Sequence, residues 1–281
     1  MNPLISFDDV IRNVHDLPSL PAVVMELLNS LDQDDIDIAT LAKKVALDQA
    51  LTAKTLRLAN SASFTKQVKV ATIQHAITFL GFQTVRNLIT TAAITGCFPS
   101  GSCREFDDKA FWRHSIATAA CAKILARHVG FNQDFAFTAG LLHDIGRLVM
   151  VTLFPEHYAA ALRYRREHDC HMIDAERKIM GITHVIAGTA LAEHWRFSET
   201  LQHGIAGHHS PDVPGAGFLA TIIHVADGIT HALDLSQQED DLVPSLSLVA
   251  WHAVGLTQDS AAQVFHETEL QLEEASRILL G

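Results

Sequence analysis

Apolar residues recur at three- and four-residue intervals through nearly the whole chain, the period of a helix that buries one face. No run alternates as a strand would, apart from a short extended piece expected around "KQVKV", residues 66–70. The predicted fold class is therefore all-α. Local signals mark the helix ends. Thr72 precedes "IQHAITFL" and Gly81 follows it; Asp107 and Asp108 precede a long helix that Gly130 closes; Thr183 and Ser198 are further N-cap candidates. Polar or Gly/Pro-bearing breaks fall at 97–108, 210–217 and 236–241. The first of them separates an N-terminal helical subdomain, residues 1–105, from a larger helical subdomain, residues 106–281. No internal repeat or low-complexity tract interrupts the pattern.

Composition narrows the classes. With 281 residues, 48% of them hydrophobic, the chain is long enough to bury a large core. A formal net charge of -11 has the wrong sign for gripping a phosphate backbone, so no nucleic-acid partner is expected. The N-terminus "MNPLISFDDVIRN" lacks the basic start and apolar core of a signal peptide. The longest uncharged run, 87–103, is broken by Thr, Gly, Pro and Ser, so no membrane span is expected either. Cys97, Cys103, Cys121 and Cys170 form no CxxC pair, which suits a reducing cytosol and suggests no thiolate metal site. The oddity is 17 histidines, close to the 21 of Lys and Arg together.

Their surroundings sort those histidines. In "TAGLLHDIGRLVM", residues 138–150, His143 and Asp144 stand side by side within an apolar run. A carboxylate buried there costs several kcal/mol (about 3–5 when left unpaired) unless it is hydrogen-bonded or coordinates a cation. His114 shares its predicted helical face with Ala117, Thr118, Cys121 and Leu125; His184 aligns with Ala187, Gly188 and Leu191; His208 aligns with Leu201, Gly204 and Ile205. His224, Asp227 and His231 follow one another on the hydrophobic helix "TIIHVADGITH". A second His-Asp pair, His168-Asp169, lies among Arg165, Arg166 and Glu167 and reads as a solvated helix end. Any one inward histidine is most simply a core residue bonded to a backbone carbonyl. Together, His114, His143, Asp144, His184, His208, His209 and Asp227 read as lying on apolar faces of separate helices, which in a bundle converge on one interior. One divalent ion, or two bridged by Asp144, would make such a set tolerable by accepting imidazole nitrogens and carboxylate oxygens as ligands.

The order His114, His143-Asp144, His184, His208-His209, Asp227 resembles the HD superfamily of metal-dependent phosphohydrolases. The closer resemblance is to its HDOD (HD-related output domain) branch of bacterial signalling proteins, and it covers nearly the whole chain. Its marks here are "LPSLP" (17–21), "DQALTAKTLRLANSASF" (48–64), "TIQHAITFLGFQTVRNL" (72–88), "FWRHS", "GLLHDIG", the spaced Gly181, His184, Gly188, Leu191 and Trp195, and "IAGHHSP". The resemblance implies a multi-helix HD-like bundle with an additional N-terminal subdomain. It also implies a divalent transition metal (Fe, Mn, Zn or Ni), as one or two ions. His114, His143, Asp144 and Asp227 would hold one ion, and His184, His208 and His209 a second ion or a substrate phosphate.

Several positions depart from relatives. Asp48-Gln49 stands where the family usually has Asp-Pro. Ser210-Pro211 follows His209 where cyclic-dinucleotide phosphodiesterases of the superfamily have Glu, their Gly-Tyr-Pro signature is absent, and Arg147 replaces a Lys. Two readings follow. The one the sequence favours is a cytoplasmic regulatory module, non-catalytic or weakly active, that meets a signalling protein through its helical surfaces. The other is an active metal-dependent phosphohydrolase on a phosphate ester or nucleotide, with Asp144 and Arg147 as catalytic residues. For Arg147, a phosphate clamp and a surface salt bridge remain equally open.

Overall fold

The computed structural model describes residues 4–31, 37–61, 70–98, 101–239 and 241–279, and these form helices and no strand. The helices are α1 (Phe7–Val14), α2 (Ala22–Asn29), α3 (Ile38–Leu47), α4 (Gln49–Ser61), α5 (Ile73–Leu80), α6 (Phe82–Cys97), α7 (Asp108–Val129), α8 (Gln133–Leu142), α9 (Ile145–Leu153), α10 (Pro155–His168), α11 (Met172–Met180), α12 (His184–His194), α13 (Glu199–Gly207), α14 (Gly217–Ala232), α15 (Leu248–Val254) and α16 (Gln258–Leu279). The extended piece expected at 66–70 lies, but for Val70, outside the described residues, as do residues 62–64 of the "LANSASF" stretch.

Capping follows the sequence closely. Thr72 Oγ1 accepts the His75 amide at the start of α5, Asp107 accepts the Ala110 amide at the start of α7, and Gly130 ends α7 in the left-handed region at φ 70°. Asp108 is the first residue of α7 and not part of its cap. Thr183 and Ser198 stand at the N-cap positions of α12 and α13, but neither side chain caps its helix. For α12 the free amide of His184 is taken by the Glu176 carboxylate at 2.8 Å instead.

The C-terminal half is organised around α7. Its small residues Ala117, Ala119, Ala120, Cys121 and Ala122 are all buried, which lets α8, α14 and α16 pack closely around it. A second close crossing joins α9 to α12. There Gly146 lies so near His184 that a Cβ would collide with the His184 carbonyl oxygen. This contact fixes the start of α9, hence Asp144, against the start of α12, hence His184.

The connection between α6 and α7 falls where the sequence breaks, with residues 99–100 outside the described set. One hydrophobic cluster nevertheless runs from Ile5 to Leu272 across both halves, with α1 packed on α9 and α12 and α16 packed on both α4 and α7. A buried ion pair, Arg86–Asp134, ties α6 to the first turn of α8. The stretch 133–153 is long and apolar enough to cross a membrane, yet 83% of its most apolar window is packed inside the protein.

Candidate metal centre

The residues singled out in the sequence come together at the point where α7, α8, α9, α12, α13 and α14 meet. His114 comes from the middle of α7 and Asp227 from α14. The expectation that all seven lie on helix faces is corrected for four of them. His143 and Asp144 occupy the junction between α8 and α9, and His208 and His209 follow the last turn of α13. His184 is the first residue of α12. The physical reason is packing: helices that cross around a centre can present their ends to it, and a side chain at an end reaches the centre without crowding a neighbouring turn.

Asp144 is the hub. Its Oδ1 lies 3.2 Å from His184 Nε2, 3.7 Å from His208 Nε2 and 3.8 Å from His143 Nε2. Asp227 Oδ1 lies 3.0 Å from His114 Nε2, 3.3 Å from His231 Nε2 and 3.6 Å from His143 Nε2. Between these sets, His114 and His143 approach Nε2 to Nε2 at 3.2 Å, and His184 and His209 do so at 3.0 Å.

The opposite ring nitrogens decide what these contacts mean. His143 Nδ1 is 2.7 Å from the Gly140 carbonyl oxygen and His208 Nδ1 is 2.6 Å from that of Ile205. His184 Nδ1 is 2.6 Å from Glu176 Oε2, and His231 Nδ1 is 2.8 Å from Asp241 Oδ2. A carbonyl or carboxylate oxygen accepts, so each Nδ1 donates and each neutral ring turns a lone pair at Nε2 toward the centre. Carboxylate oxygens are thus ringed by lone pairs. His208 Nε2 and Asp227 Oδ1 are fully enclosed there without an aligned hydrogen bond. Such an arrangement is repulsive unless a cation or added protons occupy it.

Charge responds accordingly. Burial acts to raise both carboxyls, but the surrounding imidazoles hold Asp144 and Asp227 well below the usual carboxylate range. Burial lowers His114 and His208, and burial with His208 and His184 nearby pushes His209 down to about 2. At His143 and His184 burial is outweighed by neighbouring carboxylates, so both are raised, and at His231 Asp227 and Asp241 overcome burial to raise it to about 10.

Arg147 is not on the surface, which overturns its salt-bridge-at-the-surface reading. It is buried, donates from Nη1 to Asp144 Oδ2 at 3.1 Å and from Nε to the Tyr158 hydroxyl at 2.9 Å, and lies over the rings of Phe106 and Phe111. Glu176, Asp241 and His231 complete the centre and were absent from the sequence-based set. His231 was readable as the i+4 neighbour of Asp227 on an apolar helix. Glu176 sits in the charged string "DAERK" and Asp241 in a polar break, so neither carried a usable signal. His168 and Asp169 stay exposed and apart; His168 stacks on Tyr164 at 3.9 Å.

Among the described residues, three overlapping groups are able to hold a metal ion: Asp144, His184, His208 and His209; His114, His143 and Asp144; and His114, Asp227 and His231. The ligand atoms of each group lie within 4.8 Å of one another. The donors are imidazole nitrogens and carboxylate oxygens, the set that suits first-row divalent ions.

Helical packing and a buried His/Asp cluster of this kind define an all-helical protein with a metal-competent centre. Residues 17–211 match the HDOD domain, and the chain belongs to that family. Among solved structures it is similar to an HDOD domain protein with unknown function from Geobacter sulfurreducens, with 25% identity, 97% of this chain and 98% of that one covered, and a TM-score of 0.82. It is also similar to a candidate phosphohydrolase from Shewanella amazonensis, with 28% identity, 96% and 97% covered, and a TM-score of 0.73. Ribonuclease Y of Oleidesulfovibrio alaskensis matches at 30% identity over 127 residues, 45% of this chain and 19% of that protein. The chain spans less than two fifths of the length of the curated relatives it matches.

Proposed function

We propose that this protein is a metal-dependent phosphohydrolase of the HDOD family. The observation that carries the reading is the ring of inward Nε2 atoms around Asp144 and Asp227, those of His143, His184, His208 and His231 oriented from behind by a carbonyl or carboxylate, beside an open cavity. His114, His143, Asp144, Asp227 and His231 would hold one ion; His184, His208 and His209, with Asp144 shared, would hold a second. When bound, a divalent ion supplies Lewis-acid polarisation of a phosphoryl oxygen and activation of a water.

The chain's own residues set the stage for that chemistry. Arg147, itself fixed by Tyr158 and two aromatic rings, orients the Asp144 carboxylate and leaves Oδ1 facing the imidazoles. Glu176 holds the ring of His184 and caps α12 with the same oxygen. His209 is the least enclosed of the four in its group, and burial keeps its ring neutral, with a lone pair available to an ion at the cavity wall.

A second reading rests on Ser210-Pro211, which follows His209 where related phosphodiesterases carry Glu. In that reading the same centre binds metal and a phosphate-containing small molecule without turnover, and the helical surfaces report its state to a signalling protein. Metal content and hydrolysis of p-nitrophenyl phosphate, measured on one preparation of wild type and Asp144→Asn, separate the readings. The enzyme reading expects bound metal and turnover in wild type and neither in the variant. Metal without turnover selects the regulatory reading, and a folded wild type that takes up no transition metal contradicts both.

A further inference from the structure

His224 belongs to none of the three metal-competent groups among the described residues, yet it is buried on α14 three residues before Asp227 and lines the cavity. Both of its ring nitrogens are engaged. The Ser247 amide donates to Nε2 at 2.9 Å, so the ring hydrogen sits on Nδ1, which donates to the His208 carbonyl oxygen at 2.8 Å.

The partner at Nε2 ends a segment that runs back along α14. Residues 241–247 form no helix. Asp241 Oδ2 accepts from His231 Nδ1 at 2.8 Å, Leu246 packs so near Gly228 that a Cβ there would stand 3.3 Å from its Cδ1, and Ser247 meets His224. From His224 to His231 the helix rises roughly 10 Å. Six residue steps of extended chain reach about 20 Å, so the segment has slack and bows away from the helix. It bows beside the cavity: Leu242, Pro244 and Ser245 line that space, while Val243 is exposed.

Among the described residues, the hydrogen bonds of this segment fall at its two ends, and the ends are unlike. Asp241 is held by three side chains, those of His231, Ser236 and the buried Arg165. Ser247 is held by the amide–imidazole bond and by its hydroxyl on the exposed carboxylate of Asp212, at 2.8 and 2.9 Å. A bond between uncharged groups and a bond in solvent are each weaker than a buried, charge-assisted one. Release therefore begins at Ser247, and Asp241 remains as the hinge.

Resting on the phosphohydrolase reading for what it admits, we propose that Leu242 to Leu246 are a strap that opens and closes one side of the cavity, with His224 as its latch. Open, the strap lets an ion or a phosphate ester reach the His/Asp cluster; latched, it slows their exchange. His224 is a positioning residue, acting through the strap and not on the reacting atoms.

Two substitutions at partly exposed Ser247 test the latch without touching the cluster. Ser247→Ala removes the hydroxyl and keeps the amide. Ser247→Pro also lacks the hydroxyl, suits the φ of -65° found there, and puts a methylene where the amide hydrogen points, which excludes the bond to His224. In metal-free full-length protein, carbethoxylation of His224 by diethyl pyrocarbonate, followed by peptide mass spectrometry, is expected to run about tenfold faster in Ser247→Pro than in Ser247→Ala, because only the former bares Nε2. In the same pair, manganese(II) uptake and its release to a chelator should both quicken by that factor (about tenfold) while affinity stays equal within about twofold, the signature of a gate and not of a ligand. Equal labelling of His224 in the two variants overturns the strap, and unequal affinity with unchanged uptake overturns the gate. A wild type that binds no transition metal contradicts the phosphohydrolase reading separately, and the labelling then decides the strap by itself.

Discussion

The chain contains the dipeptide His-Asp at 15–16, 143–144 and 168–169, and of these the two in the C-terminal half share nothing but their letters. His143 and Asp144 sit between α8 and α9, 1% and 6% exposed, each touching imidazoles or carboxylates from other helices. His168 and Asp169 end α10 in solvent, where His168 Nδ1 donates to its own helix at Tyr164 and Asp169 adopts the left-handed cap conformation at φ 46°. The first copy follows an apolar run with glycines placed for close helix crossing; the second follows Arg-Arg-Glu. Chemistry at a doublet therefore depends on what the neighbouring sequence forces around it. Burial removes water, which makes each unpaired lone pair costly and makes a cation in their midst the stabilising answer.

The comparison is broken most severely by disturbing the crossing that builds the first copy. Gly146→Ala would drive a methyl into the His184 carbonyl, and with no flexible side chain to yield, about 3 kcal/mol or more of stability should be lost in thermal or denaturant unfolding. An alanine that leaves the melting temperature unchanged would show that α9 and α12 do not meet as described.

A smaller effect isolates orientation from ligation. Glu176→Gln keeps the shape behind His184 but removes the carboxylate that accepts from both its ring and its amide. Metal affinity should fall by about tenfold to a hundredfold, with stability much less affected. Equal metal affinity in the variant would remove Glu176 from the support of the centre.

Titration gives a third contrast. In metal-free protein His231 is raised to about 10, against an ordinary value of 6.5, because Asp227 and Asp241 favour its charged form. A raised folded-state pKa contributes stability that is complete below about pH 6.5 and is lost as pH rises through about 10. Wild type should thus lose melting temperature across that window relative to His231→Gln, and parallel pH profiles would contradict the pairing. Least of all should happen at the second doublet: Asp169→Asn and His168→Ala should shift stability by no more than about 0.5 kcal/mol and leave metal content alone.

Much of this was legible in the order of residues. Helical periodicity, the caps at Thr72 and Asp107 and the inward placement of His114, His184 and Asp227 follow from spacing, because a helix face repeats and its burial is local. What escaped depends on contacts between distant segments. Glu176 is fully buried although its own helix reads as charged, since the start of α12 closes over it. Asp241 lies in an irregular segment whose path no periodicity describes, yet it reaches His231 and Arg165. Arg147 looks like any helix-surface cation until Phe106, Phe111 and Tyr158 are placed around it.

The central claim is that Asp144 is held as an anion by an ion in the cluster and not by hydrogen bonds alone. Elemental analysis of purified wild type beside Asp144→Asn and Asp169→Asn tests it directly, because asparagine keeps the shape and removes only the charge. The account predicts stoichiometric transition metal in wild type and Asp169→Asn and its collapse in Asp144→Asn. Equal metal in wild type and Asp144→Asn would contradict it and leave the "GLLHDIG" segment a structural role only.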